Sequence, residues 1–332
     1  MLVVMKFGGT SVGGADAIHH VVEIARDTAR RHQIVLVISA MNAPDLRTTD
    51  LLIQGARSAV GSDVAGAAQI TRRLREKHLQ VAAELLVPQE YEALESYLRT
   101  TFDHVEDLYR SIGILGELTA RALDLISGHG ERCNARLIAG ALRSAGVAAE
   151  AVDATELIVT NERYGDAAPL MEETRLRSQG KLRPILEEGT IPVVTGFIGA
   201  TQAGVPTTLG RGGSDYSCAI LGAVLDAGEV WFWKEVDGVM AADPRVVPEA
   251  RTLPALSYAE MAELAYYGAN VLHPKTVHPI VQRRIPIRIL NTFNPSHPGT
   301  LVTAETVPGT AKAVTAIRDV SLITVGGPGM LG

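Results

Sequence analysis

The chain has 332 residues, 46% hydrophobic and 20% charged, enough to bury a large core in one large or two ordinary domains. A net charge of -6 with a pI near 5.9 provides no basic field for nucleic acid, and no apolar run approaches the length of a membrane span. The two cysteines, Cys133 and Cys218, lack metal-ligand spacing, and the amino terminus has no basic-then-apolar leader pattern, so a cytoplasmic protein is expected.

The first apolar run, Leu2-Val3-Val4-Met5, predicts a strand over 2–7 that delivers Lys6 and then Phe7-Gly8-Gly9-Thr10-Ser11 toward a helix over 15–31. Glycines at a strand exit let backbone N–H groups approach an anion, a following helix N-terminus adds its dipole, and the lysine adds a full charge. Because the lysine precedes the glycines, this is not a Walker A loop; the plainer alternative is a strand-to-helix turn carrying a surface lysine.

A second strand over 34–39 runs into Ser39-Ala40-Met41, a Pro-containing loop and Thr49-Asp50-Leu51-Leu52, whose hydroxyls either bind a ligand or cap a helix. From Thr49 to Ser127 the strand signal vanishes. Leu74, Leu79, Ala83, Leu86, Leu94 and Leu98 fall at helical spacing, predicting an all-helical insertion whose apolar stripe is core. Gly128-His129-Gly130-Glu131-Arg132 then places a carboxylate in the first turn of a helix over 132–145. Glu131 either complements the helix dipole or receives a substrate ammonium.

Strands over 147–152, 191–197 and 229–235, with a helix over 214–226, complete the alternation expected of a parallel sheet covered on both faces. Ligands of such sheets lie beyond the carboxyl ends of the strands. Thr207-Thr208-Leu209-Gly210-Arg211-Gly212-Gly213-Ser214-Asp215 sits at such an end, and the planar fork of an arginine among three glycines suits a carboxylate or phosphate. Trp231 to Arg245 ends a strand in Lys234-Glu235 and carries turns at Asp237-Gly238 and Asp243-Pro244. Tyr266 to Lys275 follows a predicted helix, and its lone His273 before proline reads as structural. No histidine–carboxylate spacing resembles a zinc site, and no Gly-x-Ser-x-Gly elbow is present.

Taken in order, Lys6-Phe7-Gly8-Gly9-Thr10-Ser11-Val12, Ser39-Ala40-Met41, Glu131, Gly210-Arg211-Gly212-Gly213-Ser214-Asp215, Val236-Asp237-Gly238 with Asp243-Pro244-Arg245, and Val271-Leu272-His273-Pro274 resemble the aspartate kinases. The resemblance spans almost the whole chain. It implies the amino acid kinase fold, a three-layer α/β/α sandwich with a mainly parallel central sheet over residues 1–305, with the helical insertion at about 50–127. It also implies phosphorylation of the L-aspartate side chain by ATP with Mg²⁺, the first step toward lysine, threonine, methionine and isoleucine.

By the same resemblance, Lys6 with Gly8, Gly9 and Ser11 holds the transferring phosphoryl group, and Asp215 orients Lys6. Arg211 clamps the substrate carboxylate, Glu131 meets its ammonium, and Ser39, Thr49 and Ser214 add hydrogen bonds. ATP is expected near Lys234, Glu235, Met240, Arg245, Asn270 and Lys275, with Mg²⁺ bridging its phosphates and no dedicated protein metal cage. The chain departs from the family pattern at Lys234-Glu235 (usually Thr-Asp), Met240 (usually Tyr) and Asn270 (usually Lys), and in a longer connection between Met41 and Thr48. Nucleotide contacts are therefore expected to differ in detail. Residues 313–332, with short strands over 313–317 and 320–325, resemble the opening of a truncated ACT effector module, which predicts weak or absent feedback inhibition by lysine or threonine. A homodimer is expected. The alternatives are another amino acid kinase, acting on acetylglutamate, glutamate or a nucleoside monophosphate, and a catalytically silent amino acid- or nucleotide-binding module.

Overall fold

A computed structural model describes residues 1–267, 272, 274–305 and 312–315. Its first strand, β1 (Leu2–Phe7), is followed by helix α1 (Ala15–Ala29) and β2 (Gln33–Ile38). A small hairpin, β3 (Asn42–Ala43) and β4 (Leu46–Arg47), leads into helices α2 (Thr48–Val60), α3 (Val64–Leu85), α4 (Pro88–Leu115) and α5 (Ala120–Ser127), the expected insertion. Pro88 starts α4, where its missing N–H has no cost, and Gly116 ends it in the left-handed region at φ 70°. Leu94, Leu98, Phe102, Val105, Tyr109 and Ile112 are its buried stripe, at the three- and four-residue intervals of one helix face.

Helix α6 (His129–Ser144) returns the chain to the sheet through β5 (Ala149–Val152), β6 (Val159–Thr160), α7 (Met171–Glu187) and β7 (Ile191–Thr195). Next come β8 (Ile198–Thr201), β9 (Pro206–Thr208), α8 (Gly213–Val224) and β10 (Glu229–Lys234). The described chain closes with β11 (Ala255–Ser257), α9 (Tyr258–Tyr266), α10 (Pro274–Gln282), β12 (Ile287–Asn291) and β13 (Thr300–Thr303). The main sheet has the order β11-β13-β12-β10-β1-β2-β7-β5 and is parallel except between β12 and β13. This is the expected mainly parallel sandwich.

Strand period fixes which side chains face which layer. Val3, Met5 and Phe7 of β1, with Ile34, Leu36 and Ile38 of β2, join the core under α1 and α6. Val4, Val35 and Val37, with Val230 and Phe232 of β10, join the core under α7 and α8. Lys6 therefore belongs to the α8 side, and Lys234, two and four residues beyond Phe232 and Val230, belongs to it as well. The chain moves from β1 to β2 on one flank and places β10 on the other, which puts a topological switch point at the end of β1.

Several boundaries differ from the sequence expectations. The strand predicted over 191–197 stops at Thr195, because Phe197 sits at φ 68° and turns the chain into β8. The helix predicted over 132–145 begins earlier, at His129. The connection from Met41 to Thr48 is the β3–β4 hairpin and not an irregular loop. Residues 312–315 carry no strand; the Val314 N–H bonds to the Ala241 carbonyl instead, and the rest of the proposed ACT opening lies outside the described residues.

Candidate active site

A cleft of about 420 Å³ opens where β1, β2 and the α8 N-terminus meet, and Lys6, Gly9, Ser39, Thr49, Glu131, Arg211, Ser214 and Asp215 all line it. Residues from four stretches of sequence thus converge on one place. At its centre the Lys6 ammonium lies 2.5 Å from Asp215 Oδ1. Asp215 occupies the first turn of α8, where the helix dipole favours a negative charge. Burial alone raises its carboxyl pKa, but Lys6 and Lys234 beside it outweigh burial and hold it below the ordinary value.

Close backbone approach shapes the walls. A Cβ on Gly9 would come within 2.9 Å of the Ala40 carbonyl, so only glycine lets the β1 exit pass that close to the β2 exit. Gly210 and Gly212 stand at φ 77° and 68° on either side of Arg211, a path that side-chain-bearing residues adopt only with strain. Arg211 is exposed at the cleft rim and makes no ion pair among the described residues.

Glu131 lies opposite. It is 4% exposed; its Oε1 accepts the Ala40 N–H at 3.2 Å, while its Oε2 is buried without a hydrogen-bond partner among the described residues. Desolvation pushes its carboxyl up to about 8. A buried acceptor left unpaired is costly, and this one lines a cleft. Neither hydroxyl of the Ser39–Thr49 region caps α2, whose N-cap is Arg47 with no side-chain bond. Ser39 is further fixed through its carbonyl, which accepts from Asn134 Nδ2 at 2.7 Å.

The remaining predicted residues stand around this centre. The Gly8 N–H bonds to the Trp233 carbonyl at 3.4 Å, and Ser11 is fully buried with its hydroxyl 2.7 Å from that of Thr292. Lys234 reaches Asp215 Oδ2 at 3.7 Å. Glu235 is exposed just past β10, Met240 bridges to Thr252, and the Arg245 guanidinium pairs with Asp243 in its own turn. Lys275 pairs with Asp166 at 2.5 Å, and Asn270 lies outside the described residues.

Three contributors carry no sequence signal that singles them out. Thr48 lines the cleft and is 1% exposed, yet its hydroxyl has no hydrogen-bond partner among the described residues. Thr48→Val, nearly isosteric, is expected to raise the KM for the cleft's ligand about three- to tenfold without changing the melting temperature, as one lost neutral hydrogen bond predicts. Thr292, directly after β12 and two strands away from β1, holds Ser11 of the glycine turn through its hydroxyl. Asp124, buried in α5, accepts from the N–H groups of Gly165 and Thr208 and from the Thr208 hydroxyl, at 2.9, 2.9 and 2.7 Å. It therefore anchors β9, the strand that feeds Gly210-Arg211. Asp124→Ala strands buried donors, and thermal denaturation should show a loss of about 2–4 kcal/mol. An unchanged melting temperature would dismiss that anchoring role.

This is an open α/β sandwich with a cleft at the switch point of its sheet, lined by a buried carboxylate and by an exposed arginine that makes no ion pair among the described residues. The chain belongs to the amino acid kinase family, whose model matches residues 1–291. It is similar to the chloroplastic bifunctional aspartokinase/homoserine dehydrogenase 1 of Zea mays, 35% identical over 341 residues, which cover 100% of this chain and 36% of that protein. It is also similar to the aspartokinase of Schizosaccharomyces pombe, 35% identical over 92% of this chain and 59% of the relative. The solved structure of E. coli aspartokinase III in complex with aspartate and ADP superposes with a TM-score of 0.82 at 31% identity, over 92% of this chain and 65% of that one. The chain thus spans between about a third and three-fifths of the length of these curated relatives.

Proposed function

We propose that this chain transfers the γ-phosphoryl group of ATP to the side-chain carboxylate of L-aspartate, giving 4-phospho-L-aspartate, the first step toward lysine, threonine, methionine and isoleucine. The observation that carries this is the pairing within one cleft of a buried, half-satisfied carboxylate, Glu131, with the Arg211 guanidinium, which has no ion-pair partner among the described residues, around the Lys6–Asp215 ion pair. A free amino acid presents both an ammonium and a carboxylate, and this cleft offers a partner to each.

Glu131 receives the ammonium and Arg211 the α-carboxylate, with Ser39, Thr48, Thr49 and Ser214 as hydrogen-bond partners around them. The side-chain carboxylate then faces Lys6. It is already ionised and needs no general base. Its oxygen forms the new bond to the γ-phosphorus as the bond to the ADP oxygen breaks, and ADP leaves with the electron pair. What the protein supplies is alignment and charge neutralisation. The Gly8 N–H is held by the Trp233 carbonyl, so Gly9 brings the backbone N–H to the phosphoryl oxygens, and Lys6, fixed by Asp215, neutralises their charge.

The nucleotide lies over the carboxyl ends of β10 and β12, toward Glu235, Met240, Arg245 and Lys275. Mg²⁺ arrives on the ATP phosphates as part of the substrate. Among the described residues no group of three His, Cys, Asp or Glu could hold a metal ion. A cytoplasmic homodimer is part of the same proposal.

The test is ATP- and Mg²⁺-dependent formation of aspartyl hydroxamate in hydroxylamine, run beside glutamate, acetylglutamate and UMP in ADP-release assays. Aspartate-specific product supports the proposal. ATP binding without product from any acceptor would identify a silent binding module instead.

A further inference from the structure

Asp215 carries two lysines. Lys6 reaches one carboxylate oxygen at 2.5 Å and Lys234 the other at 3.7 Å. Lys6 is 8% exposed, and the Lys234 side chain is 20% exposed. Two ammonium groups on one carboxylate leave these three side chains with a net charge of about +1 in a largely desolvated place; Glu235, which also acts on Lys234, is exposed and its pull is screened by solvent, so the arrangement is expensive without a further anion. The Lys234 ammonium registers that expense: burial pushes its pKa down, and the neighbouring Lys6 pushes the same way against the pull of Asp215 and, more weakly, of Glu235.

The surroundings show where the anion belongs. Lys6 pairs in register with Phe232, so Lys234 stands two residues further toward the carboxyl end of the adjacent strand, on the same face of the sheet. A Cβ on Gly8 would lie 3.6 Å from the Lys6 Nζ and 3.8 Å from the Trp233 carbonyl, so the glycine turn sits directly over the two strand ends that bear the lysines. The N-terminus of α8 closes the same space through Asp215. A glycine turn, a helix N-terminus and two lysines tethered to one aspartate thus bound a single region at the switch point of the sheet.

We infer that Lys234 is a second phosphate-binding cation, sharing Asp215 with Lys6 and engaging the terminal phosphates of the nucleotide. This rests on the phosphotransfer reading above. Asp215 serves in the free protein as the stand-in anion for both lysines. When the polyphosphate enters, it neutralises the surplus charge, and Lys234 holds the phosphate chain while Lys6 follows the group in transfer.

The test is calorimetric titration of the full chain with ATP and with AMP, which bears only the α-phosphate, for wild type, Lys234→Met, Lys234→Gln and Lys234→Arg. Loss of one direct charge–phosphate contact should weaken ATP binding about 10- to 30-fold in the Met and Gln variants, with AMP binding within about twofold of wild type. Lys234→Arg, which keeps the cation, should recover most of the ATP affinity. Melting temperatures of the ligand-free variants report folding, and two neutral replacements guard against one that misfolds. Wild-type protein that binds no ATP overturns the phosphotransfer reading and this inference with it. Wild-type protein that binds ATP, with Met and Gln variants that bind it equally well or that lose ATP and AMP in parallel, overturns the role of Lys234 alone.

Discussion

Lys6→Ala is expected to lower kcat by about 10³-fold or more while leaving aspartate affinity within about threefold of wild type. The asymmetry follows from position. Lys6 lies between Glu131 and Arg211 on one side and the glycine turn over β1 on the other, so on the proposed reading its charge stands where the phosphoryl group would move. Its removal leaves Asp215 with Lys234 at 3.7 Å, so no buried carboxylate is wholly abandoned and the fold should persist. Hydroxamate formation measures the first effect, and titration with aspartate the second. Retained turnover in Lys6→Ala would overturn its assignment, whereas parallel loss of aspartate binding would mean that Lys6 belongs to the amino acid subsite.

The second large effect concerns Glu131. With its carboxyl pushed up to about 8, mainly by desolvation, it is largely protonated at pH 7 in the ligand-free protein. An arriving ammonium needs the ionised form, so binding must release a proton. Aspartate affinity should therefore climb about tenfold per pH unit between roughly pH 6 and 8 and level off above, with nearly one proton released per ligand at pH 7. Calorimetry in buffers of differing ionisation enthalpy measures that proton. In Glu131→Gln the pH dependence should vanish and the KM for aspartate should rise about 100-fold, as expected for an ammonium left without its buried partner. The sign for stability is opposite. Folding holds a proton on Glu131 between the unfolded value of 4.5 and the folded value of about 8, so its contribution to ligand-free stability is complete below that window and declines as pH rises through it. A flat pH profile for aspartate affinity would remove Glu131 from the site.

Much of this was legible in the sequence because it is local. A β-branched run buried on both faces, as in Leu2–Phe7 and Gln33–Ile38, has few competing readings, and the glycines around Lys6 and Arg211 mark tight backbone paths without any knowledge of the fold. Helix α7 escaped because its buried positions begin with Thr174 and Ser178 and it contains Gly180 and Pro184, which blurs the apolar period. The β3–β4 hairpin escaped because its strands are two residues each. Asp124, Thr48 and Thr292 owe their roles to partners or surroundings distant in sequence. An aspartate 84 residues from the threonine it anchors has no local pattern to betray it. For Glu131 the sequence left dipole complement and ligand partner open; the unsatisfied Oε2, visible only after folding, is what favours the second.

The place of β1 in the sheet has a consequence for how the protein is made. Its neighbour on one flank, β2, follows about thirty residues later, but its neighbour on the other, β10, carries residues 229–234. At about 5–20 residues per second, a ribosome leaves that flank of β1 without its partner for roughly 10 to 50 seconds, a row of bare amides and carbonyls open to any other strand. Lys6 sits on that strand, and both its carboxylate partner and the lysine sharing that partner arrive over 200 residues after it. The Lys6–Asp215–Lys234 charge cluster and the β1–β10 seam at the middle of the sheet are thus completed by the same stretch of chain, so a nascent product that stops short of β10 has neither.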